Sequence, residues 1–145
     1  IDSPEAPELL ELVIAAGVDV DVQRQAVESL GRRPDDGIED RLFEIARSHR
    51  STDVRRQAVE SLGRRTGERV SGRLMQLARE DGPTDVQRQA VESLGRLEAD
   101  VMPDLARIAR SHPSSEVRRQ AVESMTRRDP DKALPLLEEI LRQPR

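Results

Sequence analysis

Apolar residues return along this chain at the spacing of one helical face, and the same face is written four times. Val22, Ala26, Val27 and Leu30 fall at i, i+4, i+5 and i+8, with Arg24, Gln25, Glu28 and Arg32 outside the stripe or at its edges. The stretch VQRQAVESLGRR that carries them recurs as VRRQAVESLGRR from Val54, VQRQAVESLGRL from Val86 and VRRQAVESMTRR from Val117, at intervals of 32, 32 and 31 residues. Each copy predicts an amphipathic first helix, A. A second helix, B, follows with more variation: IEDRLFEIARSH, VSGRLMQLARED, VMPDLARIARSH and ALPLLEEILRQ, aligned on Leu42, Leu74, Leu105 and Leu137.

The segment from Pro7 to Ala16, PELLELVIAA, fits the same frame. Leu10 and Val13 precede their opening Val by the same distances as Leu42 and Ile45 precede theirs, so this helix reads as a B helix whose A helix is missing. The expected organisation is a single array: a half-repeat at 1–18, then repeats at 19–50, 51–82, 83–113 and 114–145, the last a C-terminal cap. The punctuation agrees. Thr52, Thr84 and Ser115 stand as N-cap candidates, and Asp21, Asp53, Asp85 and Glu116 place a carboxylate in the first turn, where the helix dipole favours it. Gly17 stands where a C-terminal cap belongs, and Gly31, Gly63 and Gly95 where left-handed C-caps are expected, while the fourth copy has Thr126 and a different turn. Asp129-Pro130 reads as an N-cap followed by Pro at the first helical position, and Pro83 and Pro113 help to end the preceding helices. Connections are short enough to make successive helices antiparallel.

A longer period lies on top. Gln23 and Gln87 alternate with Arg55 and Arg118, and ARSH ends two B helices, at His49 and His112, but not the one between. This is the mark of a duplicated two-repeat unit, or of construction by design.

Composition narrows the class. Aromatic residues make up 1% of the chain, so burial must come from many Val, Leu, Ile and Ala contacts shared between neighbouring repeats, and one repeat is not expected to fold alone. With no cysteine, disulfide and thiolate chemistry are excluded. No stretch approaches the roughly 18 apolar residues of a membrane span, and Ile1–Glu11 lacks the regions of a signal peptide, so a soluble chain is expected, most simply in the cytoplasm. The net charge of −4 argues against nucleic acid as a partner. Of the 24 basic residues only Lys132 is lysine, and the plainest use of so many guanidinium groups is ion pairing between repeats.

Blocks such as TDVRRQAVESLGRR, together with DPDKALPLLEEIL, resemble bacterial HEAT-type repeats, close to the short variety in phycobilin lyase subunits and in artificial HEAT-like libraries. The resemblance covers nearly the whole chain. It implies an all-α fold, a right-handed α-solenoid of HEAT-like helical hairpins with B helices on the concave side and A helices on the convex side. It also implies scaffolding or protein binding far more often than catalysis. Two departures stand out: Gln23 and Gln87 replace the Arg that usually follows the opening Val, and Glu60-Ser61 replaces an aromatic pair present in some relatives.

No constellation for catalysis, cofactor or metal emerges. His49 and His112 lie two repeats apart, too far to share a coordination shell, and stand at helix C-termini where a protonated ring would complement the dipole. Carboxylate pairs such as Glu138-Glu139 point about 100° apart on a helix and lack apolar surroundings to raise a pKa. Ser29, Ser61, Ser93 and Ser124 recur once per repeat, as a packing position does. The candidate binding feature is a strip. Arg47, Arg79, Arg110 and Arg142 share one B-helix position, with Glu44, Gln76, Arg107 and Glu139 three residues before, and a protein or an acidic, extended peptide is the expected partner. The competing explanation is that this row complements helix dipoles and pairs with the next repeat's Asp.

The two ends are a second candidate. Leu9 and Leu136 occupy a position held by Arg41, Arg73 and Asp104 in the interior, and Leu12 replaces Glu44, Gln76 and Arg107. Such apolar ends point to contacts with flanking segments or to a homo-oligomer through the terminal helices. The expected function is therefore a non-catalytic interaction scaffold. The alternatives are an engineered, consensus-like repeat protein without a natural target, and a chromophore-lyase-type enzyme subunit.

Overall fold

The computed structural model describes residues 6–142; the first five residues of the expected half-repeat, and Gln143 of the last B helix, lie outside them. Nine helices follow one another among the described residues: α1 (Ala6–Ala15), α2 (Val20–Gly31), α3 (Ile38–Ser48), α4 (Thr52–Gly63), α5 (Val70–Arg79), α6 (Thr84–Gly95), α7 (Met102–Ser111), α8 (Ser115–Arg128) and α9 (Pro130–Arg142). The even-numbered helices are the A helices and the odd-numbered ones the B helices. None is long and apolar enough to cross a membrane. The chain divides into two compact units, Ile1–Val70 and Ser71–Arg145.

The two units are built alike. In the first, α1 packs on α2, and α4 packs on both α2 and α3; in the second, α8 packs on α6, α7 and α9. The stripe read from the sequence is the buried face: Val54, Ala58, Val59 and Leu62 of α4 and Val117, Ala121 and Met125 of α8 are sealed from solvent. Leu42, Leu74 and Leu105, on which the B helices align, are equally buried. Each buried Val, Leu or Met side chain contributes roughly 1.5–3 kcal/mol and each Ala less, and small aliphatic contacts of this kind replace the missing rings.

Helix starts are set one residue earlier than the capping pattern implied. Ser51 and Ser114, not Thr52 and Ser115, cap α4 and α8, their Oγ atoms accepting from the N–H of Val54 and Val117 at 3.3 and 3.4 Å. Thr52, Thr84 and Ser115 are the first helical residues. Before α6 stands Pro83, which presets the chain and has no side-chain oxygen to offer, though its carbonyl accepts from the N–H of Val86 at 3.0 Å. Asp19 caps α2, and Asp129 accepts from Lys132 N–H at the start of α9, as Asp-Pro implied.

The glycines do something other than turn the chain. Gly31, Gly63 and Gly95 are the last residues of their helices, the C-caps Arg32, Arg64 and Arg96 stay right-handed, and the only positive φ among the described residues is at Gly37, ahead of α3. Gly17 is therefore not a left-handed cap either. What Gly31 and Gly95 provide is clearance. A Cβ on Gly31 would lie 2.8 Å from Ser61 Cβ of α4, and one on Gly95 would lie 2.8 Å from Ser124 Cβ of α8. Within each unit the two A helices thus touch through Gly on one and Ser on the other, an approach that a Cβ in place of the glycine would prevent. The recurring serine is the other half of that contact.

Gly31→Ala is expected to lower stability by about 1–3 kcal/mol, because the added methyl meets the stem of Ser61 rather than a movable side-chain end. Gly72→Ala, on the exposed side of α5 with nothing within 4 Å, is expected to raise it by about 0.5–1 kcal/mol. Urea unfolding reads both, and two shifts of the same sign would remove the close-approach explanation.

Candidate functional site

An α-helix leaves its last four carbonyls without helical donors. In this chain a small set of polar side chains covers them, and it accounts for the two-repeat period. The ring of His49, the C-cap of α3, reaches the carbonyl of Ile14 in α1 (Nε2 to O, 3.0 Å), and His112, the C-cap of α7, reaches that of Ala78 in α5 at 2.7 Å. Ser51 N–H and Ser114 N–H each donate to the corresponding Nδ1 at 3.0 Å. An Nδ1 that accepts carries no proton, so each histidine is the neutral Nε2–H tautomer. The expectation of protonated rings complementing helix dipoles is corrected: both rings are neutral struts joining one B helix to the one before it.

The residue after the opening Val belongs to the same device. Arg55 donates to Ala46 O at 2.9 Å and Arg118 to His112 O at 2.6 Å, while Gln23 donates to Val18 O at 2.7 Å and Gln87 to Glu80 O at 2.9 Å. All four tie an A helix to the chain just before it. Where histidine ends the B helix, arginine follows six residues later, and where it does not, glutamine takes the place. Gln23 and Gln87 therefore keep the donor function of the Arg they replace.

Arginine has a further task that the pattern of charges concealed. Arg65 NH1 donates to Gly31 O and Arg33 O at 2.9 and 2.7 Å, closing the end of α2. Arg128 does the same for α6, donating to Gly95 O at 3.0 Å, to Leu97 O, and to Ala99 O at 2.6 Å. The sequence signal was present, since Arg65 and Arg128 share one position two repeats apart, but it was submerged in the expectation of ion pairs between repeats. Many ion pairs run within one helix or back onto it from its own C-cap: Arg32–Glu28, Arg64–Glu60 and Arg96–Glu92 at 2.5 to 2.6 Å, and Arg24–Asp21, Arg56–Asp53 and Arg88–Asp85 at 3.4 to 3.9 Å. Arg41–Glu11, at 2.6 Å between α3 and α1, does cross between repeats.

The candidate strip lies in solvent. Arg47, Arg79, Arg110 and Arg142 are exposed, as are Glu44, Gln76, Arg107 and Glu139. Arg47 stands over the Phe43 ring at 5.1 Å, Arg142 lies 3.7 Å from Glu138, Arg107 lies 3.8 Å from Asp104, and Gln76 donates to Glu80. Arg79 and Arg110 make no ion pair among the described residues, so pairing with the next repeat's Asp does not explain them. In the second unit, Arg79 and Arg107 line one open depression of about 210 Å³ with Ile108, Ser111, His112 and Pro113. No group of three or more acidic or histidine side chains that could hold a metal lies among the described residues.

The ends are apolar, though not residue for residue as the sequence implied. Leu9 and Leu12 of α1 are 55% and 67% exposed. Leu136 of α9 is half-buried, and the exposure there falls on Leu134 (57%) and Leu141 (86%). Leu141 aligns with Ala46, Ala78 and Ala109, positions that α9's predecessors bury.

Paired antiparallel helices repeated at one interval, with A helices stacked through Gly and Ser and B helices tied end to end, define an α-helical repeat protein. The family profile for HEAT repeats matches residues 6–95 and again 71–145, and the chain belongs to that family. Neither the curated proteins nor the solved structures yield a match. HEAT repeats are generally non-enzymatic scaffolds for protein interaction.

His112→Ala removes the donor to Ala78 O and the acceptor of Ser114 N–H from a buried site, and is expected to cost about 1–3 kcal/mol. His49→Ala, at a half-buried ring, should cost less. Denaturant melts of the two variants give the order, and a larger loss at His49 would contradict the strut reading.

Proposed function

We propose that this chain is a non-catalytic interaction scaffold whose B helices take an acidic, extended protein segment. The observation that carries the reading is the pair of uncommitted charges in the second unit. Many of the arginines are held by a carboxylate in their own helix or by backbone carbonyls, while exposed Arg79 and Arg110, in the last turns of α5 and α7, make no ion pair among the described residues. Arg79 and Arg107 flank a depression whose floor includes the apolar Ile108. A carboxylate there gains bidentate, charge-assisted hydrogen bonds, and a neighbouring aliphatic side chain gains a surface to cover. Arg47 and Arg142 occupy the same helical position in the other B helices, and Glu44, Gln76, Arg107 and Glu139 vary beside them, which is where one partner would be told from another.

A fluorescein-labelled octaglutamate peptide tests this by fluorescence anisotropy. Binding that weakens with salt is expected, together with a loss of about tenfold or more in Arg79→Glu/Arg107→Glu/Arg110→Glu. Arg119→Glu, on exposed A-helix surface, should change it little. Absence of binding by the parent chain, or equal binding by the triple variant, would remove the acidic-segment reading.

A further inference from the structure

The two ends of the chain carry apolar surface for different reasons, and the Gly-on-Ser contact separates them. On α4 the residues Val54, Gln57 and Ser61, at i, i+3 and i+7, form one buried face against α2, and on α8 Val117, Gln120 and Ser124 form the same face against α6. On α2 the matching residues are Val22, Gln25 and Ser29. Val22 is 52% exposed where Val54 and Val117 are fully buried, Gln25 is exposed, and Ser29 is only half-buried. Before α4 lie an A helix and a B helix, α2 and α3; before α2 the described residues hold the B helix α1 alone. What is missing from the face is therefore the cover an A helix supplies.

The far end differs in kind. At the position of Gly31 and Gly95, α8 carries Thr126, whose side chain stands where a Cβ on either glycine would come within 2.8 Å of the next helix's Ser. At the position of buried Ala46 and Ala109, α9 carries exposed Leu141. Thr126 adds bulk where a following A helix would have to sit, whereas Leu141 does not by itself bar one, since Ile14 holds the same position in α1 and is buried with α2 packed on that helix. The face of α2 keeps the receiving half of the repeat contact, and α8 has lost the giving half.

We propose that the α1–α2 face is a docking surface for one kind of partner, a HEAT-type helical layer whose outer helix ends in glycine, and that the α8–α9 end is closed to such a layer. Ser29 receives the glycine of the incoming helix, and Val22 and Gln25 receive its flank. Leu9 of α1, aligned with the Arg41 that reaches back from α3 to α1, meets the inner helix of the same layer. A second copy does not fit this face by its own far end, because Thr126 replaces the glycine required. The partner is then a repeat layer other than the one this chain presents at α8–α9, and growth of the stack runs in one direction.

Extension of the chain tests the proposal. A copy of Ser51–Arg69 joined to Ala6 in place of residues 1–5 supplies an A helix in the register of the interior repeats, since Val70 and Ala6 align. The extended protein is expected to melt several degrees higher, with slower amide exchange along Val22–Ser29, and to lose most of both gains when the glycine of the copy is changed to Leu. A copy of Glu80–Gly95 joined after Arg142 is expected to exchange as an unfolded tail, and to become protected once Thr126→Gly is introduced. No gain from the first extension, insensitivity to its glycine, or docking of the second extension on the unaltered end would each overturn the proposal. So would concentration-dependent mass in sedimentation velocity of the parent chain that Thr126→Arg abolishes, since that result places a second copy on the face.

Discussion

The closeness of successive A helices is the constraint on which the rest depends. Gly31 against Ser61 and Gly95 against Ser124 bring two helix backbones together at points where a single methyl group would force them apart. Because the approach is so short, Val and Ala suffice to fill the layer beneath, and the chain needs no aromatic core. The likeness of the two units follows at these positions, since in each the first A helix presents a glycine and the second a serine.

Close stacking also brings helix ends together, and their orphan carbonyls need donors. Arg65 and Arg128 close the ends of α2 and α6, His49 and His112 tie B helices to their predecessors, and Arg55, Arg118, Gln23 and Gln87 tie A helices to the chain before them. A guanidinium suits this work because it donates to several carbonyls at once without losing its charge. The predominance of arginine over lysine thus has a structural use at these sites. An arginine engaged with backbone carbonyls is also not on offer to a partner.

The tandem matches make this chain a HEAT-repeat protein, and HEAT repeats are generally scaffolds for protein interaction. The acidic-segment reading concerns the side of the B helices, and the docking of a repeat layer concerns the outer end of α1 and α2. They rest on different residues, and neither needs the other.

Helix number, helix order and the buried stripe were legible in the sequence, because a 3.6-residue period and a repeat of 31 or 32 residues are one-dimensional signals that burial along one helix face dictates directly. Asp129-Pro130 and the packing role of Ser61 and Ser124 were legible for the same reason. Other features belong to the tertiary structure alone. Gly31 and Gly95 looked like left-handed caps, and their purpose appears only when the neighbouring helix lies across them. The histidines looked like dipole partners until the carbonyl of a residue 34 or 35 positions away filled one side of the ring. Exposure on the last helix fell on Leu134 and Leu141, and not on Leu136, because the face left open is fixed by where α7 and α8 pack. A sequence records which residues recur, but contact between residues some 30 positions apart depends on how closely two helices approach, and that distance exists only in three dimensions.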